Sequence, residues 1–269
     1  GTAFLAGSTD GTGTDARFNT PAGLALDPFG NLYVADYRNH TIRKVTLSTG
    51  AVSTVAGMTG MKGSADGTGT AARFGFPNGL ALDSSSNLYV ADGDNSTIRK
   101  MSLASGAVTT LAGLAGVPGS VDGTGSAARF SYPCALAMEG SGNLYVADCR
   151  DNTIRKVVLA TGTVTTLAGM SGAKGSTDGT GAAARFNTPA GLGLDGNGNL
   201  YVADYLNATL RKVSLPSGAV TTVAGVVGSL GVKLGPLPAG LRGPSAVTVL
   251  PTGDIVVSDS NEGAILVAR

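Results

Sequence analysis

Short runs of alternating apolar and polar residues, each bounded by Gly, Pro, Asn or Asp, recur along the whole chain, and this is the pattern of β-strands rather than helices. In the stretch from Gly79 to Ala112 the runs are Gly79 to Asp83, Leu88 to Ala91, Thr97 to Met101 and Val108 to Ala112. The connections between them are a few residues long. A parallel pair needs a crossover of about a dozen residues or more, so these four strands form an antiparallel meander.

The meander repeats. Asn-Leu-Tyr-Val-Ala-Asp begins at Asn31, Asn87, Asn143 and Asn199, 56 residues apart, and a worn copy, Asp254 to Asp259, follows. Asp-Gly-Thr-Gly starts at Asp10, Asp66, Asp122 and Asp178, and Ala-Arg-Phe ends at Phe18, Phe74, Phe130 and Phe186. A single four-stranded sheet cannot bury both faces, whereas radially stacked copies can. The expected fold is therefore an all-β propeller of five four-stranded blades in one domain, residues 1–269. The long connection carrying Asp-Gly-Thr-Gly and Ala-Arg-Phe is expected to pack, with the Phe filling gaps between blades. Thr2 to Gly7 reads as an outer strand without a blade, and the fifth copy stops before its own outer strand. Pairing the two would close the ring and remove an open edge.

Tyr33-Val34-Ala35-Asp36 followed by Asn39-His40-Thr41-Ile42-Arg43-Lys44 resembles the signature of NHL repeats, strongly in four copies and weakly in the fifth. The resemblance implies a propeller. Some NHL-like propellers are lyases that hold zinc through several channel histidines, and some bind RNA through a positive face.

Composition narrows these options. The chain holds 42 Gly, no Trp and 14% charged residues, with 19 basic and 18 acidic side chains and a net charge of +1. No global field attracts nucleic acid or an anionic membrane, and no apolar run spans a bilayer. One histidine cannot build a multi-histidine zinc site, and neither a catalytic triad nor a nucleotide loop is present. The Asp-Gly-Thr-Gly segments lack the further acids of a calcium loop. No cofactor or metal is expected, and the chain is expected not to be an enzyme. Because it begins at Gly1, it reads as part of a longer protein.

Asp36, Asp92, Asp148, Asp204 and Asp259 end the second strand of every copy, and Arg43, Arg99, Arg155 and Arg211 open the third. A residue that every blade carries is expected to build blades, here by accepting turn N–H groups and pairing Asp with Arg. Function is expected where copies differ. Differences gather in the turn between the second and third strands, where Tyr37, Arg38, His40, Asp94, Arg150, Asp151, Tyr205, Leu206, Asn261 and Glu262 are the candidate binding residues.

Cys134 and Cys149 both break the repeat in the third copy, at positions facing each other across a hairpin. Cross-strand Cα atoms there lie about 4.5–5.5 Å apart, within disulfide reach. A disulfide implies an oxidising, extracytoplasmic setting, secreted or at the cell surface. Asn39, Asn95 and Asn207 head glycosylation sequons. The expected function is a non-catalytic binding or scaffold module that meets a protein, peptide or glycan through its rim loops, within a larger protein or assembly. The alternative is a metal-dependent propeller lyase or lactonase-like hydrolase with its site at the channel mouth.

Overall fold

The computed structural model describes residues 5–228, 231 and 240–268. Among these, the strands assort into five antiparallel sheets, one for each repeat, with short 3₁₀ turns and no α-helix. The fold class is an all-β propeller of five blades.

The second repeat shows the plan. Its strands are Pro77–Leu82, Asn87–Asp92, Thr97–Ser102 and Ala107–Gly113, each within two residues of the run read from the sequence. Ala81 pairs with Tyr89, Tyr89 with Lys100 and Lys100 with Thr109, so neighbouring strands keep the alternation of their side chains in step.

The sheet has a fifth member that the sequence pattern does not announce. Gly67–Thr68 of the Asp-Gly-Thr-Gly segment pairs with Val108 and Ala107 and covers the outer edge. Gly11–Thr12 and Gly179–Thr180 do the same in the first and fourth sheets. A two-residue strand has no alternation to read. Its service is to occupy backbone groups that an open edge would leave unpaired.

By Cα packing the chain forms two compact units, Gly1–Leu136 with Leu159–Thr163, and Ala137–Val158 with Val164–Arg269. In the first, Tyr33, Ala35, Ile42 and Ala56 of the first sheet pack with Leu80, Leu88, Val90, Met101 and Val108 of the second. Phe74 is fully buried among them, so the long connection does seal the gap between these blades. The inner strands come very close. A Cβ on Gly23 would lie 2.2 Å from the Asn78 carbonyl oxygen, and one on Gly79 would lie 2.7 Å from the Ala135 Cα, so these positions admit no side chain without separating the sheets.

The second unit repeats this architecture. Ala203, Leu210 and Ala224 of the fourth sheet pack with Val247 and Val257 of the last and with Leu241, and a Cβ on Gly191 would meet the Ala246 Cα at 2.6 Å. The last sheet has three strands, Pro244–Val249, Ile255–Asp259 and Ala264–Ala268.

The expected closing strand is not seen over the described residues. Thr2 to Phe4 lie outside them, and Leu5 to Gly7 carry no strand. Gly7 takes the register of Gly63 instead. Its N–H donates to the Phe18 carbonyl at 3.2 Å, as that of Gly63 does to Phe74 at 3.2 Å, and its carbonyl accepts from Asn39 as that of Gly63 accepts from Asn95. Counting back 56 residues from Gly63 rather than matching the Ala-Gly pair places Gly7 in the connection that precedes a blade.

Candidate functional site

In the first, second and fourth blades the repeated acids and arginines form a buried network. In the second repeat Arg99 is fully buried. Its Nη1 donates to Asp92 at 2.9 Å and to the Arg73 carbonyl at 2.9 Å, while its Nη2 donates to Asp66 at 2.7 Å and to the Ala65 carbonyl at 3.1 Å. The guanidinium also lies over the Phe74 ring, 5.4 Å from its centroid. Asp92 accepts further bonds from the Gly75 N–H at 2.6 Å and Asn95 Nδ2 at 2.8 Å.

Arg43 with Asp36 and Asp10, and Arg211 with Asp204 and Asp178, repeat this arrangement. The Asp of Asp-Gly-Thr-Gly is thus a second carboxylate on the same guanidinium, a pairing across 33 residues that the sequence reading did not anticipate. Burial pushes the Asp92 and Asp204 carboxyls up, Asp204 to about 6, against the pull of their Arg and amide donors. At Asp10, Asp66 and Asp178 burial also pushes upward, but hydrogen bonds from Arg and Thr prevail and hold the carboxyls below the usual range. Each carboxylate and guanidinium here is engaged by groups of its own blade. Such an arrangement fixes the chain path; it does not offer open ligands.

The third and fifth repeats depart from it. Asp151 stands where other copies have Asn39, Asn95 and Asn207, and a carboxylate cannot donate to Asp148 as those amides donate to their Asp. Asp151 instead accepts from Thr153 Oγ1 at 3.0 Å and Ser171 Oγ at 2.5 Å, and the Arg155 to Asp148 distance is 3.5 Å. In the fifth repeat Leu266 replaces the Arg, and Asp259 accepts from the Arg242 and Gly243 N–H groups at 2.7 and 2.9 Å.

The rim turns differ in exposure. In the first unit, half-buried Tyr37 packs on Phe76 with ring centroids 4.9 Å apart, and its hydroxyl hydrogen-bonds that of Tyr132. His40 meets the edge of Phe76 at 4.5 Å and its Nδ1 accepts the Phe76 N–H at 3.2 Å. Lys62 lies over the same ring at 5.5 Å and pairs with Asp94. Gly93 stands where Tyr37 and Tyr205 stand in their copies, and a Cβ on it would come within 3.2 Å of the Tyr132 ring. The missing side chain therefore makes room for Tyr132.

His40 itself is buried, with Nδ1 spent on a neighbouring blade; burial first, then Lys62, push its pKa down, while Asp94 pulls it up. Asn152 Oδ1 makes the equivalent clasp to the Thr188 N–H at 2.8 Å. Arg38 is exposed beside this cluster.

In the second unit, Tyr205 donates to Asn261 Oδ1 at 3.3 Å, Arg242 pairs with Glu262 at 3.2 Å, and Leu206 is exposed. Arg150 faces solvent, whereas Asp151 is buried. Sequence reading missed Phe76, Tyr132 and Lys62. The first two were visible as aromatics at the pre-proline position that holds Thr20 and Thr188, all four with left-handed backbone at φ 56–66°. Neither cysteine is free: Cys134 and Cys149 are disulfide-bonded. Among the described residues no three His, Cys, Asp or Glu are grouped as metal ligands, and no helix is long and apolar enough to cross a membrane.

The fold is shared with solved β-propellers. A chain in the nidogen/laminin complex matches with a TM-score of 0.66 at 18% identity, over 93% of this chain and 76% of that one. Virginiamycin B lyase from Staphylococcus aureus matches with a TM-score of 0.58 at 12% identity, over 93% and 69%. The NHL repeat model matches residues 18–45 and 74–101. NHL repeat-containing protein 2 of Bos taurus is 31% identical over 91% of this chain, and the chain spans 45% of that relative's length. The chain belongs to the NHL-repeat family.

Proposed function

We propose that this propeller is a non-catalytic binding module, and that its contact surface is the aromatic rim patch of the first unit. The observation that carries this reading is the concerted departure from the repeat at Tyr37, Phe76, Gly93 and Tyr132. A glycine in one copy admits a tyrosine from the next, and together they build a stacked, half-exposed surface edged by Lys62 and Asp94. Interlocked aromatic rings lose little freedom on contact, and tyrosine is favoured at the centre of binding surfaces. The ligand we expect is a protein, peptide or glycan. The fold is compatible with a protein partner, since a propeller of this class stands in a nidogen/laminin complex.

The disulfide supports an extracytoplasmic setting, secreted or at the cell surface. The metal-dependent enzyme reading would need channel carboxylates free to coordinate, and the recurring Asp side chains are occupied by Arg, Asn and backbone donors. Probing peptide and glycan arrays with the chain and with its Tyr37→Ala and Tyr132→Ala variants tests the proposal. Signals shared by the parent and lost in both variants are expected. Signals that survive both substitutions would overturn it.

A further inference from the structure

Three segments read as glycosylation sequons, Asn39 to Thr41, Asn95 to Thr97 and Asn207 to Thr209. Their asparagines are 6%, 8% and 6% exposed, and the three threonines at most 1%. Each amide nitrogen spends both of its hydrogens. Asn39 Nδ2 donates to Asp36 and to the Gly7 carbonyl, each at 2.7 Å. Asn95 Nδ2 donates to Asp92 at 2.8 Å and to the Gly63 carbonyl at 2.6 Å. Asn207 Nδ2 donates to Asp204 at 2.6 Å and to the Gly175 carbonyl at 2.7 Å. One amide thus ties the buried carboxylate that ends the second strand to the connection entering the blade. The packing around it is tight: a Cβ on Gly75 would lie 2.8 Å from Asn95 Oδ1 and 3.0 Å from its Nδ2.

We infer that none of these three sequons carries a glycan in the folded protein, and that the chain matures in an oxidising compartment where asparagine-linked glycosyl transfer does not reach it. Glycosylation replaces one of the two N–H bonds on Nδ2 with a bond to a sugar carbon. One hydrogen bond is then lost, its carboxylate or carbonyl acceptor stays buried without that donor, and a bulky polar group must pass through a closed surface. The order of synthesis adds to this. Each sequon precedes the outer strand of its own blade, Ala51–Gly57, Ala107–Gly113 or Ala219–Ala224, so it emerges before the sheet that buries it is complete. A transferase acting on the entering chain would therefore modify residues that the fold needs inside. The choice of compartment rests on the extracytoplasmic reading of the disulfide, whereas the statement about the asparagines stands on their burial and hydrogen bonds.

Translating the chain behind a signal segment into microsomes of the endoplasmic reticulum, followed by limited proteolysis, tests both parts. The rescue variant is Thr41→Val, Thr97→Val and Thr209→Val together, which removes every one of these sequons and keeps the asparagines. The three Thr Oγ1 atoms are buried without a hydrogen-bond partner, so a methyl in their place breaks no bond. Adding Ser84→Asn to that variant puts a sequon on an exposed turn and reports transferase activity. The parent should be glycosylated and digested at least about tenfold faster than the same chain made with the transferase inhibited. The triple variant should be unmodified and resistant, and with Ser84→Asn added it should be glycosylated and still resistant. A glycan at Asn39, Asn95 or Asn207 on a chain as resistant as the unmodified one overturns the inference. So does fast digestion with the transferase inhibited, because the glycan is then not the cause. A parent left unmodified and resistant while the Ser84→Asn sequon is filled overturns the choice of compartment. Free thiols at Cys134 and Cys149 in the resistant product would instead undo the extracytoplasmic reading, and the asparagine result would stand.

Discussion

Replacing Arg99 by Met should disrupt the second blade's network, whose guanidinium is fully buried while one partner, Asp66, is half-exposed. The substitution keeps the aliphatic stem in place and removes four hydrogen bonds, to Asp92, the Arg73 carbonyl, Asp66 and the Ala65 carbonyl. Asp92 is left fully buried with two donors, the Gly75 N–H and Asn95. Removing one partner of a buried ion pair costs roughly 3–5 kcal/mol because the other charge stays desolvated. Part of this is recoverable, since protonation of Asp92, whose carboxyl burial already pushes up, relieves the stranded charge. A net loss of about 3 kcal/mol is expected in urea unfolding at pH 7.

The variant should then regain more stability than the parent as the pH is lowered toward 5, because Asp92, already pushed up in the parent, has lost its cationic partner. Asp92→Asn combined with Arg99→Met should lose less than Arg99→Met alone, as the fifth repeat already shows that an Asp held only by backbone donors, Asp259, can stand without the Arg. A loss below about 1 kcal/mol, the value of an exposed pair, would refute the claim that these residues hold the blade together.

Gly79→Ala forces a Cβ to within 2.7–2.9 Å of the Ala135 Cα and its neighbours and should cost about 1–3 kcal/mol by thermal melting, while Gly140→Ala, with open space around it, should stay within about 0.5 kcal/mol. His40 must be neutral at Nδ1 to accept the Phe76 N–H, and its folded pKa lies below 6.5; its contribution is therefore present above pH 6.5 and is lost as the pH falls through the lower folded value. The difference in stability between parent and His40→Ala should shrink between pH 8 and 5. The lowered carboxyls of Asp10, Asp66 and Asp178 contribute above their ordinary value of 3.8 and lose this as the pH falls below it, so Asp66→Asn should flatten the acid limb of unfolding. Reduction of the disulfide should cost about 3 kcal/mol for a closed loop of about 15 residues, read as a shift in urea midpoint with and without reductant.

Much of the blade was legible because its period is strict. Tyr89, Lys100 and Thr109 alternate so regularly that strand order and register follow from spacing alone, and a Phe at the same place in four copies announces a packed gap. Two kinds of feature were not legible. Gly67–Thr68 is too short for any periodicity, and its partner Asp66 reaches Arg99 across 33 residues, a contact set by how the connection folds back over the sheet edge. Leu5 to Gly7 reads as the end of a strand by composition, and the hydrogen bonds of Gly7 reveal that residue's register. At the rim, the variable turn residues included Tyr37 and Asp94 but not Phe76 or Tyr132, because the patch is assembled from two rim turns and two of the long connections between blades. Variability within one turn also swept in His40 and Asp151, whose side chains point inward to clasp neighbouring segments.

The division between blade-building and binding residues is tested most directly by measuring unfolding free energy and array binding on the same two variants, Arg99→Met and Tyr132→Ala. For Arg99→Met a stability loss of about 3 kcal/mol is expected, with the folded fraction still binding. For Tyr132→Ala a stability change within about 1 kcal/mol is expected, with binding abolished. Binding lost from folded Arg99→Met and kept by Tyr132→Ala would overturn this division.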